Sequence, residues 1–259
     1  MNVVTLTTDI GWRYAAQIKG RILSIVPEAV IVDVAHDVAP QDILEGAFVL
    51  YAVAPQFDNA VHISVVDPGV GTSRKAIIAA CDHGYLVGPD NGVFIPAARR
   101  LGIRQVYEIT AEEYMAEAIA PTFHGRDIFA PVAVHLLQGV SPADMGTPYD
   151  AYETLDFGPG LSGHEGSIIY IDTFGNLITS LHPDGIDASY GDIVAVTVAG
   201  TRRELPYVPS YGHVDEGKLL LTVSSAGLLE VACRNRNAQE MLQVCRGDSI
   251  TVHREGQKL

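Results

Sequence analysis

The sequence predicts a two-domain chain: an N-terminal α/β domain on a doubly wound, mostly parallel sheet, followed by a smaller all-β C-terminal domain. Three observations predict it. In the first half, β-branched runs alternate with stretches of helical period. From residue 141 onward Pro, Gly, Asp and Ser accumulate and the periodicity fades. Beyond that lie short apolar runs with turn residues between them and no convincing helix. Residues 1–150 are read as the α/β domain, 151–165 as a linker and 166–259 as the β-domain.

The elements follow in order. VVTLT (3–7) reads as a strand and AAQIKGRILSIV (15–26) as a helix closed by Pro27. VIVDVA (30–35) is a strand, DILEGAFVLYAVA (42–54) a helix and VHISVV (61–66) a strand. AIIAAC (76–81) and YLVG (85–88) read as a hairpin added to that sheet, before a PDNG turn (89–92). RDIFAPVAVHLLQG (126–139) is expected to be helical despite Pro131, ending at Gly139. In the second domain SIIYID, IVAVTVAG, KLLLTVSS, LLEVA and SITVHRE are the expected strands of a sandwich or barrel.

Composition excludes several function classes. The 259 residues are 47% hydrophobic, enough for a large core, and carry a net charge of −14 with no basic run. Nucleic acid and anionic membranes are therefore not expected as partners. The longest apolar stretches, such as AFVLYAVA (47–54), fall far below the roughly 18 residues of a spanning helix. The opening MNVVTLTTDIG has no basic n-region or cleavage site, so it reads as a strand and the protein is expected in the cytoplasm. Cys81, Cys233 and Cys245 have no zinc spacing and are expected to be buried, reduced packing residues.

In an open parallel sheet, ligands bind beyond the carboxyl ends of the strands. Three predicted strands end on acids, Asp9, Asp37 and Asp67, which points to a cleft there. His36 and Asp42 lie in the same region and could equally cap the next helix. VVDPGVGTSRK (65–75) is neither a Walker loop nor a dinucleotide fingerprint. Its tight Pro-Gly turn brings Asp67 near Arg74, either as a plain loop ion pair or as two groups facing one reactant. TFHGRDIFAP (122–131) places His124, Arg126 and Asp127 at the start of a helix, and Gly125 permits close backbone approach. YIDTFGNLITS (170–180) gathers an acid, a ring and an amide around a turn; SYGHV (210–214) adds an aromatic with a polar tip. Both suit a flat polar ligand or a simple hairpin.

With these clusters in place, the chain resembles the adenosine-forming S-adenosylmethionine hydrolases, also called SAM hydroxide adenosyltransferases, whose halide-using relatives are fluorinase and chlorinase. The resemblance covers nearly the whole chain, through TLTTDIG, IKGRIL, DVAHDVAPQDILEGA, VVDPGVGTSRK, VGPDNGV, TFHGRDIFAPVAVHL, DTFGNLITS and SSAGLLEVA. It implies attack of water on the 5′ carbon of S-adenosylmethionine, with Asp67, Arg74 and His124 as the catalytic trio. It implies that Asp9 binds the ribose, and that Asp172 and Asn176 lie near the methionine head group and the adenine. Phe174 and Tyr211 would line the adenine pocket and Ser225 would contact the methionine carboxylate. Glu230 and Asn235 belong to the same segment. The resemblance further implies no metal or cofactor, and a homotrimer with active sites at subunit interfaces. The halogenases carry a serine at the place of Gly125 and a tyrosine at that of Asp67, so water is the expected nucleophile. DIGWRY is two residues shorter than the family's usual opening, with Trp12 in place of a second acid, and Arg236 replaces a frequent glycine. Two other readings stay open: a non-catalytic protein that binds S-adenosylmethionine or adenosine, and a metal-dependent nucleosidase built on the strand-end acids.

Overall fold

A computed structural model describes residues 2–157 and 163–253. The chain divides into two compact units between Leu155 and Asp156. Part of the expected 151–165 linker, residues 158–162, lies outside the described residues, as do Met1 and the last two residues of SITVHRE.

The first unit holds a seven-stranded sheet. Its strands are β1 (Val3–Thr8), β2 (Val30–Ala35), β3 (Ala60–Val65), β4 (Ala76–Cys81), β5 (Gly84–Pro89), β6 (Ile103–Ile109) and β7 (Gly146–Pro148). The order is β2-β1-β3-β5-β4-β6-β7. The first four of that order are parallel, and β4 pairs antiparallel with both β5 and β6. Helix α1 (Gly11–Ile25) joins β1 to β2, and α2 (Ile43–Val53) joins β2 to β3. Chain direction therefore reverses about β1, and a crevice opens between the carboxyl ends of β1 and β3.

The helices cover both faces, as expected of a doubly wound sheet. Ile18 and Ile22 of α1 pack with Val4, Leu6 and Ile63 and with α4 (Ala130–Leu137). On the other face α2 packs against α3 (Ile95–Arg100), and Gly46 lets it lie on Val66 and Val93. Helix α1 begins four residues earlier than the apolar period suggests. Trp12, Arg13 and Tyr14 in its first turn face solvent, so the repeat in burial starts only at Ala15. Asp42 does cap α2, accepting the Glu45 N–H. A short α5 (Pro142–Met145) precedes β7.

Pro131 is accommodated by a π-helical turn at Gly125–Phe129, in which the Ala130 N–H reaches back to the Gly125 carbonyl. A proline has no N–H for the carbonyl four residues before it. That carbonyl belongs to Asp127, and it accepts the Ala116 N–H at 2.8 Å instead. The helix thus continues through the proline, with the irregular turn placed beside His124.

On the α2 face a polar pair is buried between β1 and β3. Thr5 Oγ1 lies 2.8 Å from His62 Nδ1, and among the described residues His62 Nε2 has no partner. Burial pushes the His62 pKa down from 6.5 to about 4. The unfolded chain therefore binds the extra proton between those two values, and stability falls as pH drops from 6.5 towards 4. The loss amounts to about 3 kcal/mol and is absent above pH 6.5. Unfolding midpoints measured from pH 7 to pH 4.5 should show this decline, and His62→Leu should flatten it; an unchanged slope in the variant would assign the decline to other groups.

The second unit is built from β8 (Glu165–Ile171), β9 (Leu177–Thr179), β10 (Ile193–Val198), β11 (Thr201–Pro206), β12 (Leu219–Val223), β13 (Leu229–Cys233) and β14 (Ser249–Val252). All neighbours are antiparallel, in the order β11-β10-β14-β8-β9-β13-β12. Among the described residues the segment just after β11 meets β12 at an isolated bridge, Tyr207 to Leu221, with the Val208 N–H donated to the Leu221 carbonyl at 3.0 Å. The sheet is thereby curled towards a barrel around Ile168, Leu177, Val196, Leu229, Val231 and Ile250. One short helix, α6 (Ala238–Leu242), corrects the helix-free expectation. It forms because Asn237 caps it through the Glu240 N–H, a local signal too short to show a period.

Cys233 is buried, but Cys245 is exposed, against expectation, in the turn before β14 where its own N–H is held by Asp248. Among the described residues no helix is long and apolar enough to cross a membrane.

Candidate active site

The crevice at the reversal point of the first sheet collects the strand-end residues. Thr8 of β1 is level with Val65 of β3, which puts Asp9 and Asp67 at neighbouring strand ends. Asp9 accepts the Gln41 N–H on one carboxylate oxygen, at 2.7 Å. Asp37, the third strand-end acid, is exposed. His36 does not cap a helix. It is buried between Thr8 Oγ1 (3.0 Å) and Asp33 Oδ1 (2.8 Å), and its carbonyl takes the Gly11 N–H, so it fixes the turn that carries Asp9. Trp12 stands exposed with its ring edge against His36.

Arg74 ties the centre together. Its Nε donates to Asp67 Oδ1 at 3.0 Å while Nη2 donates to Oδ2, a two-pronged pair whose side chains are 7% and 4% exposed. Nη2 also donates to His124 Nδ1 at 3.1 Å, and Nη1 to the Lys75 carbonyl at 2.9 Å. The guanidinium lies 5.5 Å from the centre of the Phe129 ring. Every prong of the fork is thus placed, which a lysine could not reproduce.

The loop geometry explains the convergence. Thr72 folds the 67–74 turn by donating to the Gly69 carbonyl. Gly71 has φ +76°, and a Cβ there would sit 2.5 Å from the Pro121 carbonyl oxygen. Only glycine lets the Asp67–Arg74 loop lie against the segment leading to His124. At Gly125 a Cβ would press on Val65 and Ile18, so that glycine seats His124 close to the end of β3. Asn91 completes the frame: its amide donates to the Val66 carbonyl and its oxygen accepts the Val93 N–H.

Electrostatics follow from burial. Desolvation raises the Asp67 carboxyl above its ordinary value, opposed but not cancelled by Arg74, His124 and the Gly69 N–H. Burial and the adjacent Arg74 hold His124 below its usual range, with Asp67 and Asp127 pulling the other way. His124 is therefore neutral near pH 7, accepting at Nδ1 and carrying its proton on Nε2. The arrangement offers a carboxylate of increased basicity, a fixed cation and a neutral imidazole on one small volume. Asp127 and Arg126 serve structure instead: Arg126 grips both Asp127 oxygens, and Asp127 caps the loop at the Ala120 N–H.

The second unit carries a separate cavity of about 500 Å³, lined by Asp172, Phe174, Asn176, Tyr211, Cys233, Asn235 and Arg236. Five of the expected ligand-binding residues thus meet around one space. Asp172 holds the hairpin turn, taking the N–H groups of Phe174 and Asn176 on Oδ1 and the Asn176 amide on Oδ2, each at 2.9 Å. Phe174 stands 75% exposed at the tip. The Tyr211 hydroxyl donates to buried Glu230 at 2.8 Å. Asn235 adopts φ +56° in the turn after β13. Ser225 lies exposed in the hairpin at the other end of β13 and does not line the cavity. Gly71 and Asn91 were read only as turn residues and Phe129 only as part of a helix, since a turn glycine, a turn amide and a core ring carry no chemical signature of their own. Among the described residues no group of three or more His, Cys, Asp or Glu side chains could hold a metal ion.

Comparison with known proteins places this geometry in context. Residues 4–146 match the family model described as SAM hydroxide adenosyltransferase N-terminal domain, and residues 166–251 match its C-terminal domain. The chain is 38% identical to an (R)-S-adenosyl-L-methionine hydrolase of Thermus thermophilus, over 97% of this chain and all of the relative. It is 34% identical to one of the same name from Methanocaldococcus jannaschii, over 97% and 96%. A fluorinase of Nocardia brasiliensis is 25% identical over 92% of this chain and 91% of its own. Among solved structures, an uncharacterized conserved protein from Thermotoga maritima superimposes with a TM-score of 0.89 at 36% identity, covering 97% of this chain and 100% of that one.

Proposed function

Since the chain belongs to the SAM hydroxide adenosyltransferase family, we propose that it hydrolyses S-adenosyl-L-methionine to adenosine and L-methionine, with water attacking C5′. The observation that carries this reading is the Arg74 fork, which holds Asp67 and His124 on one point at the strand ends.

The chemistry needs little more. The C5′–S bond breaks with its electron pair going to sulfur, so a neutral thioether leaves and needs no proton. The C5′–O bond forms from water, whose proton passes to Asp67 and then to solvent. Asp67 is the base, and its burial brings its basicity closer to the working pH. Arg74 and His124 orient the water, and Arg74 keeps Asp67 ionised until the oxygen acidifies. Holding the nucleophile in line with the C–S bond supplies several further kcal/mol.

Asp9, with one carboxylate oxygen held by Gln41, is assigned to the ribose hydroxyls. Asp172, Phe174, Asn176, Tyr211 and Asn235 are assigned to the adenosyl and methionine contacts, with Ser225 at the methionine carboxylate and Glu230 behind Tyr211. No metal or cofactor is required on this reading. A cytoplasmic location and a homotrimer with active sites at its subunit interfaces are its finer parts; the molar mass in solution tests the assembly. The central test is incubation with S-adenosyl-L-methionine in oxygen-labelled water. Label in the 5′ hydroxyl of adenosine is expected. Tight binding without products would make the protein a sensor, and loss of turnover on chelation would favour a metal-dependent nucleosidase.

A further inference from the structure

Glu230 occupies an expensive place. It sits on β13, 3% exposed, on a face shared with the buried apolar cluster of Val208, Leu220 and Ala232. Directly across the ladder is Thr222, also 3% exposed, whose hydroxyl has no partner among the described residues. Among the described residues no cation pairs with Glu230; its hydrogen bond comes from the Tyr211 hydroxyl. A buried carboxylate so sparsely satisfied is destabilising, and an aliphatic side chain would suit the face better. Burial accordingly raises the Glu230 carboxyl, and the Tyr211 phenol is raised with it.

What Glu230 does gain is direction. A phenol has one proton to donate and lone pairs to accept with. With that proton committed to Glu230, the Tyr211 oxygen can only accept from anything in the cavity. Asp172, which also lines the cavity and whose charge acts on the Tyr211 phenol, is likewise an acceptor, and one Asn176 N–H is already spent on it. Arg236, elsewhere on the lining, can only donate. The lining therefore sets acceptors at Tyr211 and Asp172 beside a donor at Arg236. A 6-amino purine presents N–H donors beside a ring-nitrogen acceptor, whereas a 6-oxo purine presents an acceptor where the amine was.

We propose that Glu230 makes this cavity select a 6-amino over a 6-oxo purine nucleoside, by holding the Tyr211 hydroxyl proton away from the ligand. Glu230 is a positioning residue acting through Tyr211. The inference rests on the reading that the cavity takes the base of an adenosyl group.

The test is calorimetric titration of the full-length protein with adenosine and with inosine. The wild type is expected to prefer adenosine by roughly 5–150-fold, the range set by one unsatisfied buried polar group. Tyr211→Phe and Glu230→Leu should each bring the preference to within about threefold. Glu230→Gln keeps an accepting oxygen and should restore it. The melting temperature of Glu230→Leu should hold or rise, which separates lost selectivity from lost folding. A preference unchanged in Tyr211→Phe and Glu230→Leu would overturn the proposal and leave Tyr211 as a stacking wall alone. Failure of the wild type to bind either nucleoside would overturn the nucleoside reading of the cavity, and this proposal with it.

Discussion

Asp67→Asn is expected to lower the turnover of S-adenosyl-L-methionine by about 10²–10⁴-fold, the usual contribution of a positioned base, while leaving its binding within a fewfold. Asparagine keeps the volume and can still accept the Arg74 Nε bond. It cannot take a proton from water, and its NH₂ opposes the second prong of the fork. The loss should therefore fall on kcat and not on KM. The pH profile offers a second readout. With Asp67 as the proposed base, turnover needs it ionised, and its carboxyl is raised. It also requires His124 neutral, because its Nδ1 accepts from Arg74, and that ring is shifted below 6.5. Both conditions improve as pH rises, so kcat/KM, which reports the free protein, should carry an acid limb whose carboxylate part lies above the ordinary value of an aspartate. In Asp67→Asn the residual rate should lose the carboxylate part of that limb. Wild-type turnover in the variant would remove Asp67 from the mechanism.

Gly71→Ala carries the second large effect, although the residue touches no reactant. Its φ of +76° is strained for alanine, and the added methyl would sit 2.5 Å from the Pro121 carbonyl oxygen. A backbone atom cannot rotate aside, so the 67–74 loop and the segment before His124 must part. The variant should be less stable by about 1–3 kcal/mol. A displacement on the order of 1 Å between Arg74 and His124 should cost about 10²-fold in kcat. Steady-state kinetics alongside an unfolding curve would separate the two effects. Full activity with the stability loss alone would mean that the loop contact holds the fold but not the trio.

The first domain was legible largely because its physics is periodic. β2 begins and ends where VIVDVA does, and β4 and β5 form the hairpin read from AIIAAC and YLVG. Asp67, Arg74 and His124 stood out because the first two share a turn and the third precedes a glycine; their grouping as a catalytic trio is what the family resemblance implies. What did not show was geometry set across long sequence separations. IRQVYEI was not read as β6, an inner strand flanked by β4 and β7, because its alternation is imperfect and no turn signal frames it. The role of His36 depends on Asp33 and Thr8 together, and no spacing announces a histidine buried by its neighbours. Nor does local sequence say that Asp127 spends both oxygens on Arg126 and Ala120.

The way β11 and β12 touch has a consequence for how the second domain comes apart. Their mutual registry depends on the Tyr207–Leu221 contact, whereas each inner strand is ladder-bonded on both flanks. Fluctuations will start there, as a zip fastener opens from its loose end, with the two outer ribbons peeling before the β14–β8–β9 centre yields. Tyr211 hangs on the stretch between those ribbons, so breathing of this kind would loosen the aromatic wall of the second unit's cavity.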